Sequence, residues 1–378
     1  MKATLYKYAV NQWVSQAGEK ITDTDKCQLV ICFGGKGVFH QIDVYPQLKS
    51  IFKNAEVTLC STAGEIYQET VLEQSLVAVA LQFDKSSIAT SSVNIKDYQN
   101  SYDAGIYLVN KLAKKDLAYI MVFSDGSLVN GSELTKGLNT AAGDILVTGG
   151  LAGDDANFKS TLVGLNESPT EGNIIAVGFY GNQLIVKHGS QGGWDMFGLE
   201  RTITKSEGNV LYEVNNESAL DLYKKYLGPD VENLPASALL FPLAITIPGL
   251  SEPIVRTILS IDEKNKSMTF AGDIPEGAKV RLMKANFDKI IDASFKAAEK
   301  NLIEDHKPDF ALLISCVGRK LILGPRTEEE VEAVADVFSN HTPLLGFYSY
   351  GEISPFNDAV KCQLHNQTMT ITSFYELP

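Results

Sequence analysis

One pattern recurs three times along this chain and limits what it can fold into. Each occurrence reads as strand, glycine turn, helix, second strand, glycine–acid turn and closing strand. In the first, an apolar run at Leu29 to Phe33 meets Gly34-Gly35, and a helical stretch lies near Tyr45 to Phe52. A strand at Val57 to Cys60 then enters Thr62-Ala63-Gly64-Glu65-Ile66, and an alternating run covers Ser75 to Phe83. The second has Tyr119 to Phe123, Ser124-Asp125-Gly126 and a helix over Ser132 to Thr140, for which Ser132 is the expected N-cap. Ile145 to Thr148 follows and ends in Gly149 to Asp155, and an alternating hairpin is expected over Ile174 to Val186, turning at Gly181-Asn182.

The third occurrence is the clearest. Ala311 to Cys316 is a buried strand leading into Gly318 and Arg319, and Leu344 to Tyr350 is its partner, closed by Gly351-Glu352 and Pro355. Between them Thr327 to Phe338 reads as a helix, with Thr327 and Glu330 placed for a capping box and Val331, Val334, Ala335 and Phe338 forming an apolar stripe. Gln367 to Phe374 closes the unit. The turn glycine lies 29 residues before the acid-turn glycine from Gly35 to Gly64, 27 from Gly126 to Gly153, and 33 from Gly318 to Gly351.

Between the second and third units, Ser218 to Tyr226 reads as a helix stopped by Gly228-Pro229, and Ala238 to Ile245 as an edge or bulged strand because it contains Pro242. A hairpin is expected from Thr257 to Phe270, and Ala285 to Leu302 as the longest helix. The first twenty-five residues read as a partly ordered lead-in.

At 378 residues the chain exceeds one ordinary core, which favours two domains, with a boundary near residue 214. The expected fold is α/β to α+β: two related halves, 1–213 and 214–378, whose mixed sheets pack face to face under outer helices as an α–β–β–α sandwich. A net charge of −13 argues against a nucleic-acid partner, which needs a basic stripe. No window approaches the length of a membrane span, and Met1 to Tyr6 has no apolar leader. The five cysteines include no C-x-x-C pair, and Cys27, Cys32, Cys60 and Cys316 sit in or beside apolar runs. That pattern points to a reducing cytoplasm, without structural zinc. No phosphate-binding loop is present, so no cofactor is expected.

Candidate ligand contacts come from the turns. Glycines 64, 150 and 351 allow close backbone approach, and Glu65, Asp154, Asp155 and Glu352 beside such glycines face either a ligand amine or a solvated turn. Arg319 has a planar fork suited to a carboxylate; its structural alternative is an ion pair with Glu352 or with the Glu328–Glu330 run. Trp194 and either Tyr348 or Tyr350 are aromatic walls of a pocket or core residues. Cys316 is either packed, a ligand contact, or the nucleophile of a hydrolase or transferase acting on a small amide or thioester, with His341 or His365 as its base.

The segments Ser315–Arg319, Gly346–Ile353 and His365–Thr368 resemble the C-terminal part of the FIST family. Cys60–Ile66, Gly149–Asp155 and Gly189–Trp194 resemble its N-terminal part, in family order, across roughly residue 27 to the end. This resemblance implies an intracellular sensory module of signal transduction that binds a small ligand, such as an amino acid or similar zwitterion, and passes its signal to a separate protein. The site expected from the turns, the cation, the thiol and the aromatics joins Arg319, Cys316, Gly351, Glu352, Tyr350, Gly64, Glu65, Gly150, Asp154 and Trp194. The readings set beside it are the Cys316 enzyme and an adaptor that binds no ligand.

Overall fold

The computed structural model describes residues 1–234, 236–247, 253–339, 342–356 and 361–377. In it the sequence pattern becomes one topology used three times. Leu29–Gly35 runs parallel to Glu56–Thr62 and antiparallel to Leu76–Gln82. Leu117–Ser124 has the same relation to Leu146–Leu151 and Asn173–Tyr180. Phe310–Cys316 has it to Leu344–Ser349 and Met369–Glu376. The parallel pair of each unit is joined through helix, as a parallel connection requires, and both faces of the opening strands are buried, which explains their unbroken apolar runs.

The strand register corrects the alignment of the repeats. Gly35, Asp125 and Cys316 are equivalent, since their amides donate to Ser75, Asn173 and Thr368 at the mouth of each closing strand. Of the turn glycines in the sequence, Gly35 stands at this register, and Gly126 and Gly318 lie one and two places beyond it.

Each unit also lends an element to its neighbour. Glu65–Tyr67 of the first pairs with Leu344–Ser349 of the third, Gly351–Ser354 of the third with Leu146–Leu151 of the second, and Val163–Leu165 of the second with Glu56–Thr62 of the first. The exchange closes a ring. Equivalent amides mark it: Ala63 donates to the Tyr348 carbonyl at 2.8 Å, Gly153 to Ser61 at 2.9 Å and Tyr350 to Leu151 at 3.2 Å. Edges are thereby covered rather than left open.

The inner faces of the three sheets share one core. Phe33, Phe123 and Phe347 meet there with ring centroids 4.6–6.0 Å apart. Outside, Lys36–Gln41 and Val44–Ile51 cover the first sheet, while Ser101–Asn110, Gly131–Ala142, Phe287–Glu299 and Thr327–Val337 cover the second and third. The result is a mixed α/β, sandwich-like arrangement of sheets face to face under outer helices. Strands from either side of residue 213 share sheets, for Leu184–Gln191 pairs with Met369–Glu376. Between the second and third units, Asp195 to Lys284 forms a further eight-stranded sheet with the helix Ala219–Leu227 and its own core.

Several local expectations are corrected. The lead-in is a hairpin, Lys2–Ala9 with Gln12–Gly18, added to the first sheet through Leu76–Gln82. Asn173–Tyr180 and Leu184–Gln191 do not pair with each other; the chain crosses there from the second sheet to the third. Asn130, not Ser132, caps its helix, accepting from the amides of Ser132 and Glu133. Only Leu243–Thr246 of the run through Pro242 is strand. The Thr327–Glu330 capping box does not form, because Glu330 is turned inward.

Candidate functional site

Two of the acid turns are near-identical side-chain boxes. Glu65 accepts from Thr62 Oγ1 at 2.5 Å through one oxygen, and through the other from the Ser75 amide and hydroxyl at 3.0 and 2.6 Å. Glu352 accepts from Ser349 Oγ at 2.6 Å, and from the Thr368 amide and hydroxyl at 3.2 and 2.9 Å. Both carboxyls are fully buried, and desolvation raises them, Glu65 to about 7 and Glu352 to about 8. In the second unit the register puts Asp155 in this place, where it accepts from Gln74 Nε2 at 2.6 Å. Asp154 instead binds the Tyr350 hydroxyl and the amides of Lys159 and Ser160.

Arg319 lies at the start of the helix Val317–Leu323 and is fully buried. Its guanidinium grips Glu330, from Nε at 2.9 Å and Nη2 at 2.7 Å. The remaining donors reach the carbonyls of Gly192 and Ile290 and the hydroxyl of Ser294, each within 2.8 Å. Glu330 in turn accepts from Ser315, Ser294 and the Tyr348 hydroxyl. Of the structural alternatives open in the sequence, the pair with the Glu328–Glu330 run is the one formed. A ligand carboxylate would have to displace Glu330.

Of the predicted residues, the third corner holds Cys316, Glu352 and Trp194. Cys316 and Glu352 lie close enough for the carboxylate to oppose ionisation of the thiol, and the amides of Gly318 and Gln367 approach its sulfur. Burial nonetheless drives the thiol well above its ordinary range. His365 spends Nε2 on the Ser354 carbonyl at 3.0 Å and its pKa falls to about 4 through desolvation; His341 lies outside the described residues. Trp194 donates Nε1 to the Gln367 carbonyl at 2.9 Å. Gln367 itself adopts φ +63° and lies against Gly318, where a Cβ would collide with its amide.

Here two buried side chains stand out. Among the described residues, both amide atoms of Asn366 and both of Gln367 lack a hydrogen-bond partner, although the residues are 1% and 0% exposed. The sequence contained a signal for them: Asn366-Gln367-Thr368 stands where the first unit has Glu73-Gln74-Ser75, and Gln74 too has positive φ, +46°.

The other predicted residues serve elsewhere. Gly64 has φ +129°, and a Cβ there would lie 2.7 Å from Lys320 Nζ, which donates to the Ala63 carbonyl. Gly150 faces Glu352 across the exchanged strands, and a Cβ on it would meet Ile314 at 2.8 Å. Gly351 begins that exchanged strand, against Leu364. Tyr350 stacks on Phe158 at 4.7 Å, at the corner of Asp154. The ten residues are thus spread over three corners related by the repeat. Among the described residues no three His, Cys, Asp or Glu side chains are arranged to hold a metal ion, and no helix is long and apolar enough to cross a membrane.

Comparison with known proteins bears on this arrangement. The chain is 23% identical to the uncharacterized protein MJ1623 of Methanocaldococcus jannaschii, over 78% of its own length and 63% of that protein's. It therefore spans less than two thirds of that relative. Cyanuric acid hydrolase from A. caulinodans aligns over 95% of this chain and 92% of its own, at 7% identity and a TM-score of 0.35, too loose to imply shared chemistry. The family models are decisive: the FIST N domain matches residues 28–217 and the FIST C domain residues 219–355. FIST domains are sensory modules of signal transduction, which supports a sensory role. This chain belongs to the FIST family.

Proposed function

We propose that the chain is a cytoplasmic sensor of a small zwitterion or carboxylate, an amino acid foremost, held at the corner between Ser349–Glu352 and His365–Thr368 and read by a separate signalling protein. One observation carries this reading: the four amide atoms of Asn366 and Gln367 that have no partner among the described residues. An unsatisfied buried polar atom costs about 1–3 kcal/mol, so four adjacent ones ask for a partner with both donors and acceptors. Glu352 supplies a carboxyl that an ammonium would ionise. The five free cysteines, all buried, suit a reducing compartment. The enzyme reading through Cys316 gains nothing from the site, since His365 gives its Nε2 to the Ser354 carbonyl and burial keeps Cys316 as the thiol.

The test is a thermal-shift screen of amino acids, small carboxylates and amines on the intact chain and on Asn366→Leu. A hit at a hundred times its Kd stabilises by about 2.7 kcal/mol. Asn366→Leu removes two unpaired polar atoms, so it should raise the unliganded midpoint by a few degrees while erasing the response. A screen silent throughout, together with a destabilised Asn366→Leu, would show the amides to be structural and sink the proposal.

A further inference from the structure

A second buried arginine differs from Arg319 in one respect: no carboxylate among the described residues touches its guanidinium. Arg256 ends the short edge strand Ile254–Arg256 of the inserted sheet and is 4% exposed. It makes no ion pair with any described residue. Its donors reach the carbonyls of Asp273, Val255 and Leu364 at 3.2, 3.2 and 2.9 Å, and Nη2 finds only Ser132 Oγ at 3.5 Å. Asp273, the nearest acid, gives its carboxylate to Lys136 and Asn130 instead. A buried cation without a counter-ion is costly, and proteins keep such groups where something else supplies the charge.

The guanidinium is also held in place. Gly272 has φ +142°, and a Cβ there would lie 2.8 Å from Arg256 Nε, so the bare glycine backbone is the platform on which the fork lies. Its position is the wall of a cleft of about 680 Å³, bounded by the helix Gly131–Ala142, by the inserted sheet and by residues 362–364 of the third unit. That volume suits a small molecule. The walls include Ile254, Ile274 and Leu364, with Ser132 and the exposed Lys136 on the helix side. Apolar walls with one buried fork describe a ligand that is acidic at one end and apolar at the other. Phosphate fits less well, because the cleft also carries Asp273 and Glu276.

We propose that this cleft is a carboxylate-binding site, in which Arg256 receives the carboxylate of a small acid whose apolar body lies against Ile254, Ile274 and Leu364. Burial outweighs the attraction of the Asp273 carboxylate and lowers the Arg256 pKa to about 10, the direction a bound anion would reverse. The site shares no residue with the Asn366–Gln367 corner and stands or falls separately. A ligand here touches the inserted sheet and two of the repeats at once, so its binding would tie these parts together.

The probes are 3-methylbutanoate, its neutral isostere 3-methylbutanamide, and inorganic phosphate, titrated into the intact chain by calorimetry and by following the Arg256 Nε–H resonance. The acid should bind and shift that resonance; the amide should bind about ten- to a hundredfold more weakly, and phosphate not detectably. Lys136→Gln, at an exposed position, should weaken the acid a few-fold with reduced salt dependence. Arg256→Met should abolish binding. If that variant does not fold, the wild-type titration still decides. Equal binding of acid and amide, binding of phosphate in place of the acid, or no movement of the Arg256 resonance would overturn the proposal.

Discussion

Replacing Arg319 by alanine separates a structural arginine from a ligand-binding one. In the structure the guanidinium makes two bonds to Glu330 and one each to Gly192, Ile290 and Ser294, all out of water. Alanine leaves the Glu330 carboxylate buried with only hydroxyl donors, strands two carbonyls, and opens a void where a large side chain was. Breaking a buried pair from one side costs about 3–5 kcal/mol. At about 2–4 °C per kcal/mol for a chain unit of this size, the midpoint should fall by about 6–20 °C. Urea denaturation followed by tryptophan fluorescence and far-UV circular dichroism gives the change directly. A double variant, Arg319→Met with Glu330→Met, should recover part of the loss, with a coupling energy of about 0.5–3 kcal/mol between the two sites. If Arg319→Ala instead stayed within about 0.5 kcal/mol of the parent and lost only its response to carboxylates, the pairing with Glu330 would not be what holds this arginine.

Two further outcomes follow from the same corner. The folded chain holds the Glu352 proton to about pH 8, against an ordinary carboxyl value of 4.5 when unfolded. Its contribution to stability is therefore complete below about pH 4.5 and is lost as pH rises toward 8, with a slope of up to about 1.4 kcal/mol per unit. Glu352→Gln should flatten stability between pH 5 and 8 relative to the parent; matching slopes would mean that Glu352 is ionised in the fold. Comparison with the parent is needed because His365, lowered to about 4, acts in the opposite sense between there and 6.5. Cys316, raised by burial, should react with iodoacetamide only slowly until the protein unfolds, read by peptide mass spectrometry across pH. Fast labelling near neutral pH that disappears on replacing His341 or His365 would restore the enzyme reading.

Local pattern determined a good deal of this molecule. Unbroken apolar runs gave the opening strands, because a strand covered on both faces has no polar side to show, and the stripe at Val331, Val334 and Ala335 gave its helix. The threefold order of elements was likewise visible, since each unit must satisfy the same turn chemistry. Tertiary structure alone decided what crosses between units. That Glu65–Tyr67 completes the third sheet, or that Asn173–Tyr180 and Leu184–Gln191 part company, depends on which edge is open in space, and alternation along a strand is silent about its partner. The same limit governed the site. Arg319 had Glu352 and the Glu328–Glu330 run within plausible reach, and only the rotation of Thr327–Val337 on its sheet turned Glu330 inward. Arg256 carried no mark in the sequence, because a buried charge is unusual only through what surrounds it, and its surroundings come from the second unit, the third and the inserted sheet. Spacing places residues on elements; the missing partner of a charge exists only once those elements have met.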